Sequence, residues 1–513
     1  MSTNPESPNV LLLIADDLGQ DVVNITGSGA TRAIEVHTND GAVDIDGALP
    51  NLSRLLRNGL YFSQAWAQPA CSPTRASIYT GLQSWKHGVG SPVGPQLDSA
   101  AGFTTLPNLL PSEYMSGLFG KWHLGETAGF RPTDHGWDKH FGTLAGVIPD
   151  YYNWDYVDSD TGYTSTNTTD YATLRTGREA ADWINGLAAD TPWFATVAFH
   201  TPHAASPAPP PDRFQDPPGG FDPATPGDPL SDARKFNLMV QNMDGNLGRL
   251  LGTVGIPTGS LYYPPIPEDQ LSNTIIIFIG DNGSPEQVAL EEEKVRVYEY
   301  GVRIPMIIAD GQAVMNEING QNVEPRFLHS SRLNATLPFM AHVVDLYKTI
   351  VRLVDPDADA FPADTDSEDF SHLVKNPPQR PRLEPPEPPR GIPDGPFDPG
   401  TGLPPIQITL PPRFFNFSQY YVGAERRATI RDAFYKLNYH EDSDPLTPEY
   451  ALFRYDNGEI PNREDDGTAT DVFIDARDGV DAEAQEHLNW LLDELIPNYR
   501  RDEDLANTFP DPR

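Results

Sequence analysis

The chain has 513 residues, 38% hydrophobic and 10% aromatic, enough for a large buried core and too many for a disordered polymer. Acids outnumber bases 73 to 36, a net charge of −37, and only eight of the bases are lysine. A field of that sign repels nucleic acid and anionic membranes, and no apolar run approaches the roughly 20 residues of a membrane span, so neither is an expected partner.

In chain order, Met1–Pro8 has no basic region and no hydrophobic signal core, so a cytoplasmic protein is expected unless an export signal has been removed. Five apolar, β-branched runs read as buried parallel strands: Val10–Ala15, Met115–Gly120, Trp193–His200, Thr274–Gly280 and Ile304–Ala309. Helical patterns lie between and after them, at Leu49–Asn58, Arg178–Leu187, Phe236–Leu251 and Ala341–Val354. Between Gly19 and Leu49, a stretch with Asp40, Asp44 and Asp46 reads as a solvated acidic loop. Ten prolines between Thr201 and Leu230 mark an irregular excursion, and fourteen between Pro377 and Pro412 an extended connector. Beyond it, Ser418–Val422, Arg426–Tyr439 and Tyr450–Tyr455 have hairpin character, and Ala482–Ile496 reads as a terminal helix.

Alternating strands and helices imply an α/β fold, a large mostly parallel sheet flanked by helices, with a smaller C-terminal α+β subdomain. The expected division is 1–375 for the α/β domain, 376–412 for the connector and 413–513 for the subdomain.

Four strand ends carry the chemistry. Asp16-Asp17 follows the first, Lys121-Trp122-His123 the second, His200-Thr201-Pro202-His203 the third and Asp281-Asn282-Gly283 the fourth. Ligands of open α/β sheets bind beyond the carboxyl ends of the strands. Taken singly, the aspartates are ordinary turn formers or caps, and the histidines ordinary core or surface residues. Together, three carboxylates and an amide oxygen meeting at one point would repel one another without a cation among them. All-oxygen ligation selects Ca²⁺ or Mg²⁺ over zinc.

The single cysteine, Cys71, excludes an intrachain disulfide. A lone cysteine is ordinarily a small buried hydrophobe. Here, however, Cys71-Ser72-Pro73-Thr74-Arg75 reads as a helix start, with Ser72 as cap and Pro73 at the first position. That places Cys71 at an anion-favouring helix N-terminus with Arg75 on the same side, a setting for a nucleophile.

The Cys-x-Pro-x-Arg pattern with Thr80-Gly81, and the segments Pro8–Gly19, Leu49–Gly90, Gly117–Gly125, His200–His203, Phe278–Gly283, Lys294–Pro305, Val343–Leu353 and Asp364–Leu373, resemble the formylglycine-dependent sulfatases of the alkaline phosphatase superfamily. The resemblance implies that a formylglycine-generating enzyme converts Cys71 to an aldehyde, hydrated to a diol. It further implies Ca²⁺, in preference to Mg²⁺, on Asp16, Asp17, Asp281, Asn282 and an oxygen of residue 71. Arg75 and Lys121 match residues that hold the hydrated aldehyde, His123 the base of the second step, and His203 and Lys294 the pair at the sulfate and leaving oxygen. The implied activity is hydrolysis of a small-molecule or saccharide sulfate ester (aryl, alkyl or carbohydrate). The same site could serve phosphonate monoesters or phosphodiesters, or bind sulfate esters without turnover. Trp85, His87, Tyr151, Tyr152 and Trp154 are candidate pocket walls. Where the family often has paired glycines this chain reads Tyr298-Glu299-Tyr300-Gly301, although Lys294 keeps its spacing to Glu299.

Overall fold

A computed structural model describes residues 7–39, 44–203, 232–253, 263–286, 288, 294–374, 416–422, 425–431, 435–441 and 449–454. Most of the Thr201–Leu230 excursion, the 376–412 connector and the Ala482–Ile496 helix lie outside the described residues.

The first strand, β1 (Asn9–Ala15), is buried along its whole length. Three short strands follow, β2 (Val23–Thr26), β3 (Ala33–Asn39) and β4 (Asp44–Ala48), paired antiparallel in a sheet of their own. This corrects the reading of the Gly19–Leu49 interval as a solvated loop. Its acidic residues masked a period-2 alternation in β3, where Ile34, Val36 and Thr38 are buried and Glu35 and His37 are not. Val22, Val23, Ile34 and Val36 join the main core.

The main sheet adds β5 (Gly59–Trp66), β6 (Met115–Lys121), β7 (Lys139–Thr143), β8 (Trp154–Asp158), β9 (Thr166–Thr168), β10 (Trp193–Ala198), β11 (Thr274–Gly280), β12 (Met306–Asp310) and β13 (Ala335–His342). Together with β1 they form ten strands in the order β13-β5-β12-β11-β1-β10-β6-β7-β8-β9. The centre is parallel, β11, β1, β10, β6 and β7 all running one way. The Ile304–Ala309 run, expected to be parallel, forms β12 and runs antiparallel to both β11 and β5. A strand covered on both faces is apolar at every position, so its composition carries no record of its direction.

Helices cover both faces. Leu11, Leu13 and Ala15 of β1 pack with the Pro50–Arg57, Ala172–Gly186 and Asp232–Leu250 helices in one core layer. Val10, Leu12 and Ile14 face the other layer, with the Cys71–Thr80 and Leu346–Val354 helices. The Ala341–Val354 pattern is thus divided: Ala341-His342 closes β13, Val343–Asp345 is one tight turn, and the helix starts at Leu346. The turn is set by His342, whose Nδ1 accepts from the Val344 amide, and by Asp345, whose carboxylate accepts from the His342 amide.

The C-terminal strands β14 (Asn416–Val422), β15 (Glu425–Arg431), β16 (Tyr435–Glu441) and β17 (Glu449–Arg454) make a separate four-stranded antiparallel sheet. It meets the main body where Ser418 Oγ donates to the Ala67 carbonyl and Asn416 Nδ2 to that of Gln64. Among the described residues no helix is long and apolar enough to cross a membrane.

Candidate active site

The four parallel strands end in register. Ala15 pairs with Gly280, and Ala198 pairs with both Ile14 and Gly120, so their carboxyl ends deliver the next residues to one rim. Asp16, Asp17, Lys121, His123, His200, His203, Asp281 and Asn282 all arrive there. Two of them, Asp17 (φ 67°) and His123 (φ 58°), adopt the left-handed backbone that non-glycine residues avoid. Such conformations persist only where surrounding contacts over-determine them, and they concentrate at functional sites.

Residue 71 reaches the same rim at the start of the Cys71–Thr80 helix. The helix begins at Cys71 itself, with Ala70 as N-cap and no side-chain cap, which corrects the expected Ser72 cap and Pro73 start. Pro73 is still within the first turn, where its missing N–H costs nothing. Ser72 is instead a tether: its Oγ donates to the His123 carbonyl at 2.9 Å. The Cys71 thiol is buried, 3.3 Å from His123 Nδ1.

Around the thiol the charges pair off. Arg75, with no exposed surface, donates to Asp281 Oδ2 at 2.8 Å and to the Lys121 carbonyl at 2.9 Å. Lys121 Nζ lies 2.7 Å from Asp16 Oδ2, and Lys294 Nζ 2.6 Å from Asp17 Oδ1. His203 Nε2 is 3.7 Å from Asp17 Oδ2. Burial favours the neutral form of Asp17, but Lys294, His203 and Lys121 outweigh it and hold the carboxyl well below the usual range. Burial, reinforced by Lys121, Arg75 and Lys294, pushes His123 down to about 2, so its imidazole is neutral at pH 7 and able to accept a proton. Burial likewise takes His203 down to about 3, against the opposing pull of Asp17. Lys294 is raised, because Asp17 and its neighbours more than offset burial.

The donor set fits a hard divalent cation. Asp16 Oδ1 and Asn282 Oδ1 are buried oxygens with no hydrogen-bond partner among the described residues, and a buried acceptor without a partner is costly. Burial pushes the Asp16 carboxyl well above the carboxylate range despite Lys121, an imbalance that a cation beside it would reverse. Asp16, Asp17 and His203 converge closely enough to share an ion. Three carboxylates (Asp16, Asp17, Asp281) face three fixed cations (Arg75, Lys121, Lys294), so an added divalent ion leaves the site positive and receptive to an anion.

All ten predicted site residues therefore come together: Asp16, Asp17, Cys71, Arg75, Lys121, His123, His203, Asp281, Asn282 and Lys294. The wall candidates fare differently. Tyr151 and Trp154 are core residues, and His87 is buried between Ser77 Oγ and the Val89 amide. Trp85 and Tyr152 are half-buried. The Tyr151 hydroxyl has a further part that its sequence setting does not show. It donates to the carbonyls of His200 at 2.7 Å and His203 at 3.1 Å, bracing the turn that carries His203.

Comparison with known proteins identifies the family and the fold. The family model for sulfatases matches residues 8–355. The chain belongs to the sulfatase family. N-acetylgalactosamine-6-sulfatase of Homo sapiens is 26% identical to this sulfatase-family chain over 348 residues, covering 59% of it. The matched chain spans 57% of that relative's length. Among solved structures, yidJ of Bacteroides fragilis superposes with a TM-score of 0.65 at 18% identity, covering 99% of each chain. A protein solved in complex with its substrate D-glucosamine-2-N,6-O-disulfate superposes with a TM-score of 0.61 at 16% identity, covering 97% of this chain and 99% of the other. At these identities the likeness establishes the fold, an alkaline-phosphatase-like α/β architecture.

Proposed function

We propose that this protein hydrolyses sulfate monoesters, with sulfated saccharides the first class to test, and that residue 71 acts as the nucleophile after conversion to formylglycine. The observation that carries this reading is the placement of Cys71 at the first turn of a buried helix, 3.3 Å from a neutral His123 and ringed by Arg75, Lys121 and Lys294. The saccharide class is supported by two similar proteins, one named for N-acetylgalactosamine 6-sulfate and one bound to a glucosamine disulfate.

Formylglycine, as its hydrate, supplies a hydroxyl for attack on sulfur and a second hydroxyl through which sulfate can leave. Asp16, Asp17, Asp281 and Asn282 would hold a Ca²⁺ ion, which would supply Lewis-acid polarisation of the sulfate oxygens. The chain's own residues do the rest. Arg75 and Lys121 put permanent positive charge beneath residue 71, in a water-poor setting that strengthens it. His123, neutral at pH 7, accepts a proton at residue 71, and the negative charge of a bound ester raises its basicity for that step. Lys294 and His203 face the leaving oxygen. Lys294 is firmly charged, and the negative charge of a bound ester raises His203 toward the form that donates a proton.

Two measurements test this. Protein made in a host able to form formylglycine is digested, and the peptide bearing residue 71 is weighed; the aldehyde or its hydrate is expected. Sulfate release is then followed over sulfated monosaccharides, oligosaccharides and aryl esters beside matched phosphonate esters. Unmodified Cys71 from a host that converts a control sulfatase overturns the nucleophile. Faster turnover of the phosphonates would move the reading to phosphonate monoesters and phosphodiesters.

A further inference from the structure

We infer that Arg427, on the C-terminal sheet, is a positioning residue that aims Lys294 at Asp17 by locking the backbone of Val295. The inference rests on the proposed role of Lys294 at the sulfate ester.

Val295 has φ 67°. A β-branched side chain there crowds its own backbone, so the conformation holds only if something outside the segment enforces it. Two hydrogen bonds do so. The Val295 amide donates to the Pro69 carbonyl at 2.7 Å, two residues before Cys71. The Val295 carbonyl accepts from Arg427 Nη1, also at 2.7 Å. The adjoining Lys294 amide donates to the Ser284 carbonyl at 2.9 Å, and its ammonium meets Asp17. The Val295 carbonyl has no other described donor, so without Arg427 the residue is freer to relax from φ 67°, and that relaxation turns the Lys294–Val295 peptide relative to the chain that follows and carries the ammonium away from Asp17.

The sheet that carries Arg427 is anchored independently. Arg431, four residues along β15 and so on the same face of the strand, lies 3.2 Å from Glu299 Oε1. That carboxylate also accepts from Trp66 Nε1 at 3.2 Å, and the Arg431 guanidinium sits 5.8 Å from the Trp66 ring centroid. Both Arg431 and Glu299 are buried. One strand of the C-terminal sheet thus grips the Lys294–Glu299 segment at both ends, while β14 holds the Gln64–Ala67 stretch leading to Cys71. The sheet contributes no described side chain to the charge cluster itself, yet it sets where one of the cluster's cations points.

The test uses full-length calcium-loaded protein and the variants Arg427→Met, Arg427→Lys, Lys294→Ala and the Arg427→Met/Lys294→Ala pair. Hydrogen exchange of the 294–302 peptide reports the segment without reference to activity. Arg427→Met is expected to speed it and Arg427→Lys, which keeps a donor, to restore most of the protection, with the thermal midpoint little changed. Turnover of the best ester, and affinity for inorganic sulfate by calorimetry, are expected to fall about 10-fold in Arg427→Met. In the Lys294→Ala background, Arg427→Met is expected to add nothing, since a residue acting only through Lys294 has no effect once Lys294 is gone. Unchanged exchange in Arg427→Met overturns the inference. So does an additive double variant, which would mean that Arg427 acts by general support. If Lys294→Ala leaves both turnover and sulfate affinity intact, the reading of Lys294 fails instead, and the inference falls with it.

Discussion

Gly146 lies directly against the imidazole of His123: a Cβ built on it would come within 2.1 Å of Cε1 and 2.3 Å of Nε2. Those atoms form a planar ring held by its own left-handed backbone and by the Cys71 contact, so they cannot slide aside like a flexible chain end. Gly146→Ala is expected to displace the imidazole by a fraction of an ångström to an ångström. Turnover should fall by as much as about 100-fold, the usual cost of misplacing a proton acceptor by that much. Steady-state kinetics beside a thermal melt checks it. Equal activity in the variant would remove His123 from the reaction.

Tyr151 is the second positioning group. In Tyr151→Phe the His200 carbonyl keeps the His203 amide as a donor at 2.8 Å, but the His203 carbonyl loses its bond to the hydroxyl. An acceptor left unpaired there costs about 1–3 kcal/mol, read by urea unfolding. Turnover should fall together with it. A variant as stable and as active as wild type would mean that the turn is set by its own backbone.

Calcium should stabilise the protein as well as activate it. At 100 times its dissociation constant a ligand that binds only the folded state adds about 2.7 kcal/mol, visible as a higher melting temperature reversed by a chelator. Asn282→Ala removes one of the two unpartnered oxygens and should abolish most of that shift. A melt of wild-type protein indifferent to both calcium and chelator would leave the buried oxygens unexplained by a metal.

Away from the site, Glu317 ties the Gly311–Asn319 helix to the Pro50–Arg57 helix. Its carboxylate accepts from Arg57 at 2.7 and 3.3 Å and from Asn58 at 2.6 Å, with Arg54 at 3.2 Å. Burial alone would raise this carboxyl; the bonds from Arg57 and Asn58 outweigh it and lower the pKa below 4.5. A depressed folded-state pKa gives stability that is complete above the unfolded value and is lost as pH falls through the folded one. With the side chain 30% exposed, the advantage over Glu317→Gln should be about 1 kcal/mol at pH 7. It should shrink as pH drops below 4.5, and a gap unchanged down to pH 3 would exclude this ion pair as its source.

What residue order alone determined is considerable. The four strand-end motifs and Cys71–Gly81 were legible because their chemistry is local: an apolar run stops, and charged residues follow at once. Parallel strands in register then bring Asp16, Lys121, His203 and Asp281 to one rim with little left to chance. Other features were legible only in part. Lys294 was placed by family resemblance, since no local pattern distinguishes it.

Tertiary structure decided the rest. The direction of β12 was invisible because a doubly covered strand reads the same either way. The order of the small β2–β4 sheet was hidden under acidic residues whose apolar neighbours alone face the core. The positive φ of Asp17, His123 and Val295, the bare Cα of Gly146 under a histidine, and the reach of Arg427 across 132 residues to Val295 depend on contacts between segments distant in the chain. Local sequence selects which residues are available to the site. Only long-range packing supplies the enforcement that holds a costly backbone conformation, and with it the aim of each side chain.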